Sequence, residues 1–252
     1  MQYTVYFLVK LGFMAVLRFT SAIEQGRHVR IDCNSLHVDD DTSPDFDILS
    51  QFNINKGQQP LLGVNTINGT TRYQVAYRLS ENALLSIPSS KVLPFGLPSE
   101  YSFVSTFRVK QKSNNQLWNL WMVTDKQYGI LAGIQIDDRR QLVRFVTRNK
   151  QNRTHQVTFS RCAGLFDNGW HKILLAVKNK EVSLYIDCVW IEDVSFNQSY
   201  PAMDTKGFVQ IGHIVQNTSY SMPIELQWML IHCDPERAKR ETCNELPPKV
   251  SI

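Results

Sequence analysis

The 252-residue chain lacks several features that would assign it to a familiar class. It has no Gly-X-Y run, so no triple helix lies within it. It shows no long helical periodicity and no internal repeat. Its longest apolar stretches, residues 5–9 and 11–17, are separated by Lys10 and too short to cross a bilayer. There is no G-x-S-x-G, no H-E-x-x-H and no phosphate-cradling glycine loop. Nor do its strand-like segments concentrate paired carboxylates on one face, as a glycan-cleaving enzyme would need. A net charge of only +4 permits polyanion binding without demanding it.

The first residues suggest export. Lys10, the run LGFMAVL and the small residues Thr20-Ser21-Ala22 form a signal-peptide pattern, expected to occupy residues 1–22. Four N-x-[ST] sequons, at Asn68, Asn152, Asn197 and Asn217, lie in polar, turn-like stretches where a glycan is tolerated. Export also disfavours nucleic-acid partners. The acidic triplet at residues 39–41 is expected to be a solvated loop rather than a calcium site.

An exported chain can use its five cysteines in disulfides, and an odd count leaves one over. Cys233 and Cys243 flank a segment with helical start signals: Asp234 as N-cap, Pro235 at the first position and Glu236 against the dipole. A helix there would hold the two roughly 15 Å apart, beyond disulfide reach. Each must then pair with an earlier cysteine. Cys162, in an apolar context before Ala163 and Leu165, is expected to stay a free, buried thiol. That leaves Cys33 with Cys233 and Cys188 with Cys243 as the expected pairs, although spacing does not exclude the crossed arrangement.

Short β-rich segments recur along the chain. Strands are expected at 73–79, 84–87, 101–109, 117–123, 130–136, 141–147, 154–159, 170–177, 181–187, 208–212 and 225–232. Segment 46–52 is either a short helix or the start of a strand. Residues 178–180 join two strands into a hairpin. Many short strands separated by turn signals indicate a single all-β sandwich.

Five motifs in order carry a family resemblance: FDILSQF at 46–52, GLPSEYSF at 96–103, LFD at 165–167 with Trp170-His171-Lys172, LYIDC at 184–188, and the block 225–247. Together they resemble the thrombospondin N-terminal-like domain of fibril-associated collagens, nearest to the type IX chains, over residues 33–248. The resemblance implies a laminin-G-like jelly-roll β-sandwich of two antiparallel sheets with a short C-terminal helix. Its disulfides match the expected Cys33–Cys233 and Cys188–Cys243 pairs. It also implies a noncatalytic, secreted matrix module that binds glycosaminoglycans and other matrix proteins on collagen fibrils. In this family triple-helical segments follow the domain, so residues up to Ile252 would be a fragment, a short isoform or an incomplete gene model. Type IX relatives can carry zinc between acids before a Gly-Phe pair and a histidine after the last cysteine. The corresponding positions here are Asp204, Lys206 and Asn244, of which only Asp204 is a good ligand, so no zinc site and no cofactor are expected.

A basis for polyanion binding is present in the residues themselves. Arg140, Arg144 and Arg148 are expected on one face of a strand, with Arg139, Lys150 and Arg153 in the adjoining turns. Guanidinium groups form bidentate bonds with anionic oxygens, so such a line suits a sulfated polysaccharide. The alternative is an incidental charge on a solvated face. Arg237, Lys239 and Arg240 are expected to be an ordinary charged face near a helix end. His171 and His232 are expected to be packed, hydrogen-bonded strand residues. A purely structural collagen-capping or spacing module and, less favoured, a carbohydrate-active enzyme are the competing functions.

Overall fold

A computed structural model describes residue 33 and residues 45–54, 61–109, 116–149, 151–196, 203 and 205–248. The expected signal peptide at 1–22 lies outside the described residues, as do the acidic triplet, Lys150, Asn197 and Asp204.

The described strands form two antiparallel sheets facing each other. The first contains β1 (Asp45–Asp47), β2 (Val64–Asn68), β3 (Val75–Leu79), β5 (Tyr101–Arg108), β10 (His171–Val177), β11 (Glu181–Ile186), β12 (Val189–Ser195) and β14 (Ile224–His232). Its order is β12-β11-β10-β5-β14-β3-β2, with β1 beside the far end of β14. The second contains β4 (Leu85–Pro88), β6 (Leu117–Thr124), β7 (Ile130–Asp137), β8 (Leu142–Arg148), β9 (Thr154–Phe159) and β13 (Phe208–Ile211), ordered β4-β13-β6-β7-β8-β9. Neighbours in sequence are often not neighbours in the sheet, as a jelly roll requires.

Period-two alternation builds the interior. Tyr101, Phe103 and Phe107 of β5 point inward, as do Ile173, Leu175 and Val177 of β10 and Val143 and Phe145 of β8. Trp118 and Trp121, three apart on β6, would face opposite sides of a regular strand. A bulge between Asn119 and Trp121 brings both into the core. There the Trp121 ring packs 5.4 Å from Phe103 and Trp118 meets Phe107 edge-on at 6.1 Å.

The segment at 46–52 is both expected things at once: β1, then α1 (Ile48–Gln51), with Asp47 capping the Ser50 N–H at 3.1 Å. A second single turn, α2 (Ser89–Val92), follows β4.

The C-terminal helix, α3 (Arg237–Arg240), is one turn long and begins later than expected. Asp234 instead caps the preceding turn, accepting from the Glu236 N–H at 2.8 Å. Ala238 packs on Val104, Leu174, Ala176 and Tyr185, which project from the outer face of the first sheet. This explains why β5 and β10 are buried on both faces. Cys233 bonds to Cys33 and Cys243 to Cys188, with Cα separations of 5.3 and 5.9 Å. Between these staples the buried Lys172 Nζ donates to Glu241 Oε1 at 3.0 Å and to the Thr242 carbonyl at 2.7 Å.

Candidate glycan-binding surface

The candidate arginines lie on β8 and in the turns at its two ends, an arrangement that differs from one continuous ladder. Arg144 and Arg148 do share the outer face of β8, because Val143, Phe145 and Thr147 turn inward. Arg140 does not belong to the strand. It sits with Arg139 in the β7–β8 turn, where its N–H donates to Asp137 Oδ1 at 3.0 Å and ends β7. Arg153 lies at the opposite end, in a β8–β9 turn closed by the Asn149 N–H to the Arg153 carbonyl at 2.9 Å. The two exposed ends are thus roughly 25 Å apart along seven strand residues.

The middle of this line is neutralised. Arg144 donates to Asp137 Oδ2 and Arg148 to Asp125 Oδ2, each at 2.7 Å. Their side chains are only 12% and 17% exposed, whereas that of Arg140 is 68% exposed and stands 3.9 Å from Asp137. Burial is the largest single influence on the Asp125 carboxyl and pushes its pKa up. Hydrogen bonds from Arg148 and from the Gly129 and Gln127 N–H groups outweigh it and hold the group below the usual range. Arg139 and Arg153 are exposed and pair with no acid among the described residues. Arg161, also exposed, was not singled out by the sequence pattern. Extending the Val143–Phe159 register brings it opposite Gln141, beside the Arg139–Arg140 turn.

The second basic group is committed to local partners. Lys239 pairs with Glu236 at 2.9 Å, Arg240 with Asp234 at 2.5 Å and Arg237 with Glu241 at 3.3 Å. Of the sequons, Asn68, Asn152 and Asn217 are exposed. Asn152 has φ 61°, a left-handed turn conformation that asparagine tolerates well.

Other chemistry finds little footing. Cys162 is fully buried, its thiol donates to the Phe159 carbonyl at 3.4 Å, and burial pushes its pKa up to about 11. It is therefore protonated at neutral pH and no nucleophile. His171 is buried between two acids, Asp187 at 3.0 Å from Nδ1 and Asp167 at 2.7 Å from Nε2. Asp167 lies four residues upstream, a local partner that the spacing of strand residues did not suggest. Burial pushes the His171 pKa down, but hydrogen bonds to the two carboxylates raise it overall. Of the positions that the type IX resemblance would assign to zinc, Asp204 lies outside the described residues, and Lys206 and Asn244 are exposed. Among the described residues no group of three His, Cys, Asp or Glu side chains could hold a metal ion, and no helix is long and apolar enough to cross a membrane.

Comparison with known proteins gives a consistent setting. No protein-family model matches the chain. It is similar to the collagen alpha-1(XXI) chain of Xenopus laevis, 31% identical over 206 residues, and to the human chain of that name, 32% identical. Each alignment covers 80% of this chain and 20% of the collagen. The human collagen alpha-1(XIX) chain is 30% identical over 66% of this chain and 14% of its own length. The chain thus spans about a fifth or less of the collagens it matches. Among solved structures, the binding domain of Paraclostridial Mosquitocidal Protein 1 superposes with a TM-score of 0.55 at 16% identity, covering 72% of this chain and 46% of that one. The receptor binding domain of a botulinum neurotoxin C/D mosaic superposes at 0.52 and 11%, covering 70% and 44%. At such identities these two show the sandwich fold alone.

Proposed function

We propose that residues 33–248 form an N-terminal module of a fibril-associated collagen that binds sulfated glycosaminoglycans of the heparin and heparan sulfate type. The protein is secreted and belongs to the extracellular matrix, an oxidising setting in which its two disulfides persist. Matrix proteins and collagen fibrils are its further partners, and no catalytic role is assigned. The finer likeness to type IX chains rests on the five sequence motifs.

The observation that carries this reading is the exposure of Arg139 and Arg140 at one end of β8 and Arg153 at the other, on the second sheet of the sandwich. A polyanion laid along the strand would meet cations at both ends without any rearrangement of the protein. Arg144 and Arg148, held by Asp137 and Asp125, set the geometry between those ends. That same neutralisation favours a second reading, a spacing module without glycan affinity.

Heparin chromatography under a rising salt gradient separates the two. Retention of the wild type, with earlier elution of a combined Arg139→Ala, Arg140→Ala and Arg153→Ala variant, supports the binding surface. Equal elution of both proteins would sink this set of residues. Passage of the wild type without retention would favour the spacing module.

A further inference from the structure

The β6–β7 turn carries an aromatic residue outside the core, stacked on another ring and still largely exposed. Tyr128 has φ 62°, a left-handed conformation that is a genuine outlier for a bulky side chain. Its residue is nevertheless 61% exposed, so it contributes little to the core. Strain of this kind persists where the surroundings enforce it, and at a solvent-facing position it points to function.

The surroundings that enforce it are visible. The turn closes through the Tyr128 N–H to the Asp125 carbonyl at 3.1 Å and the Asp125 N–H to the Gly129 carbonyl at 2.9 Å. Gly207 has no Cβ and lies against the Thr124 carbonyl, which lets β13 start beside the turn. Its neighbour Phe208 then pairs with Thr124 and lies under Tyr128, with ring centroids 5.1 Å apart and planes within 3°. One face of the tyrosine ring is backed, and its exposure leaves the other to solvent. On one flank the Arg148 guanidinium and the Asp125 carboxylate fill the space that a Cβ on Gly129 would take. Lys126 is exposed two residues before the ring, and Arg153 is exposed in the β8–β9 turn at the same end of the sheet.

We infer that Tyr128, backed by Phe208, is a stacking platform for one pyranose ring of a sulfated glycosaminoglycan, with Lys126 and Arg153 contacting its anionic substituents. The apolar C–H face of a sugar suits an aromatic face, and the sulfates and carboxylates around its rim suit the flanking cations. This deepens the glycosaminoglycan reading and rests on it. It also gives the surface a polarity: the sugar is gripped at the Tyr128 end, while Arg139 and Arg140 meet the chain farther along as charge alone.

The test uses a heparin octasaccharide and isothermal titration at several salt concentrations. Tyr128→Asn removes the ring while keeping a residue that suits the left-handed turn. It is expected to weaken binding by roughly 3- to 10-fold with the salt dependence unchanged, whereas Tyr128→Phe retains wild-type affinity. Arg153→Ala should instead flatten the salt dependence. Wild-type binding that Tyr128→Asn leaves unaltered would overturn the platform and spare the glycosaminoglycan reading. Absence of binding by the wild type would overturn both. Preference for an unsulfated aromatic peptide over the octasaccharide would reassign the platform to a protein partner and overturn the inference.

Discussion

Arg144 Nη2 lies 2.7 Å from Asp137 Oδ2, with both side chains largely withdrawn from water. A guanidinium so placed holds β8 to the end of β7 before it can serve any ligand. Removing it leaves Asp137 with only the Arg140 N–H and a distant guanidinium. Arg144→Ala should therefore cost about 2–4 kcal/mol in a denaturant titration, as for a buried pair that loses one partner. Its heparin elution should move less than that of the variant lacking Arg139, Arg140 and Arg153. A large elution shift at unchanged stability would mean that Asp137 releases Arg144 to the ligand.

The Cys33–Cys233 bond closes a loop between residues 200 apart in sequence, and Cys188–Cys243 one between residues 55 apart. Replacing either pair with alanines should lower stability by about 2–5 kcal/mol. The second loss should act further. Without the Cys188 tether, the turn carrying Ala238 is held to the first sheet by Lys172, by the Lys178–Glu236 pair, by the Ser102 hydroxyl on the Asp234 carbonyl and by apolar contact. Hydrogen exchange should then quicken in β10 and β11 ahead of β6 and β7. Uniform quickening across both sheets would contradict that division.

How much of this was legible beforehand depended on what each residue faces. β9 begins and ends at the expected residues, since Val157 and Phe159 alternate with polar neighbours. The missed β2 and β12 stand at the two ends of the first sheet's strand order among the described residues. Their Asn65 and Asn68, or Glu192 and Asp193, are tolerated because among the described residues one side of each strand has no partner strand. Period two placed Arg144 and Arg148 on one face of β8, but it also put Arg140 there, which lies in the preceding turn, and it did not show that Asp137 and Asp125 reach the pair from β7 and the β6–β7 turn. The Tyr128 platform was invisible for the same reason: Phe208, its backing ring, comes eighty residues later in β13.

Glu225 is buried on β14 and receives Arg78 Nη2 at 2.8 Å and the Arg108 Nε. Arg108 in turn lies 4.8 Å above the Trp170 ring. The carboxylate is therefore the shared centre of two cations on neighbouring strands. Glu225→Ala would leave both without their acid, at a cost of about 2–3 kcal/mol, discounted because Arg78 is half exposed. Glu225→Gln keeps the shape and some hydrogen bonding and should cost less. Thermal melts of the two variants check the order, and equal losses would show that packing rather than charge sets the cost.

His171 gives the fold a pH dependence of definite sign. Its imidazole sits between Asp187 and Asp167, with Lys172 and its partners Glu241 and Glu245 on the adjoining residue. Burial opposes the charged form, yet the two carboxylates prevail and raise the folded-state pKa. A group raised in this way contributes its full stabilisation below the unfolded value of about 6.5. That contribution is lost as pH climbs through the folded pKa. The melting temperature should therefore fall as pH rises from about 6.5 through the folded-state pKa, and His171→Gln should remove that slope. At higher pH the difference between the two proteins should reach a plateau, because the imidazole is then neutral in both the folded and unfolded states. A wild-type melting temperature that rises over this window, or a slope that survives in His171→Gln, would assign the dependence to another group.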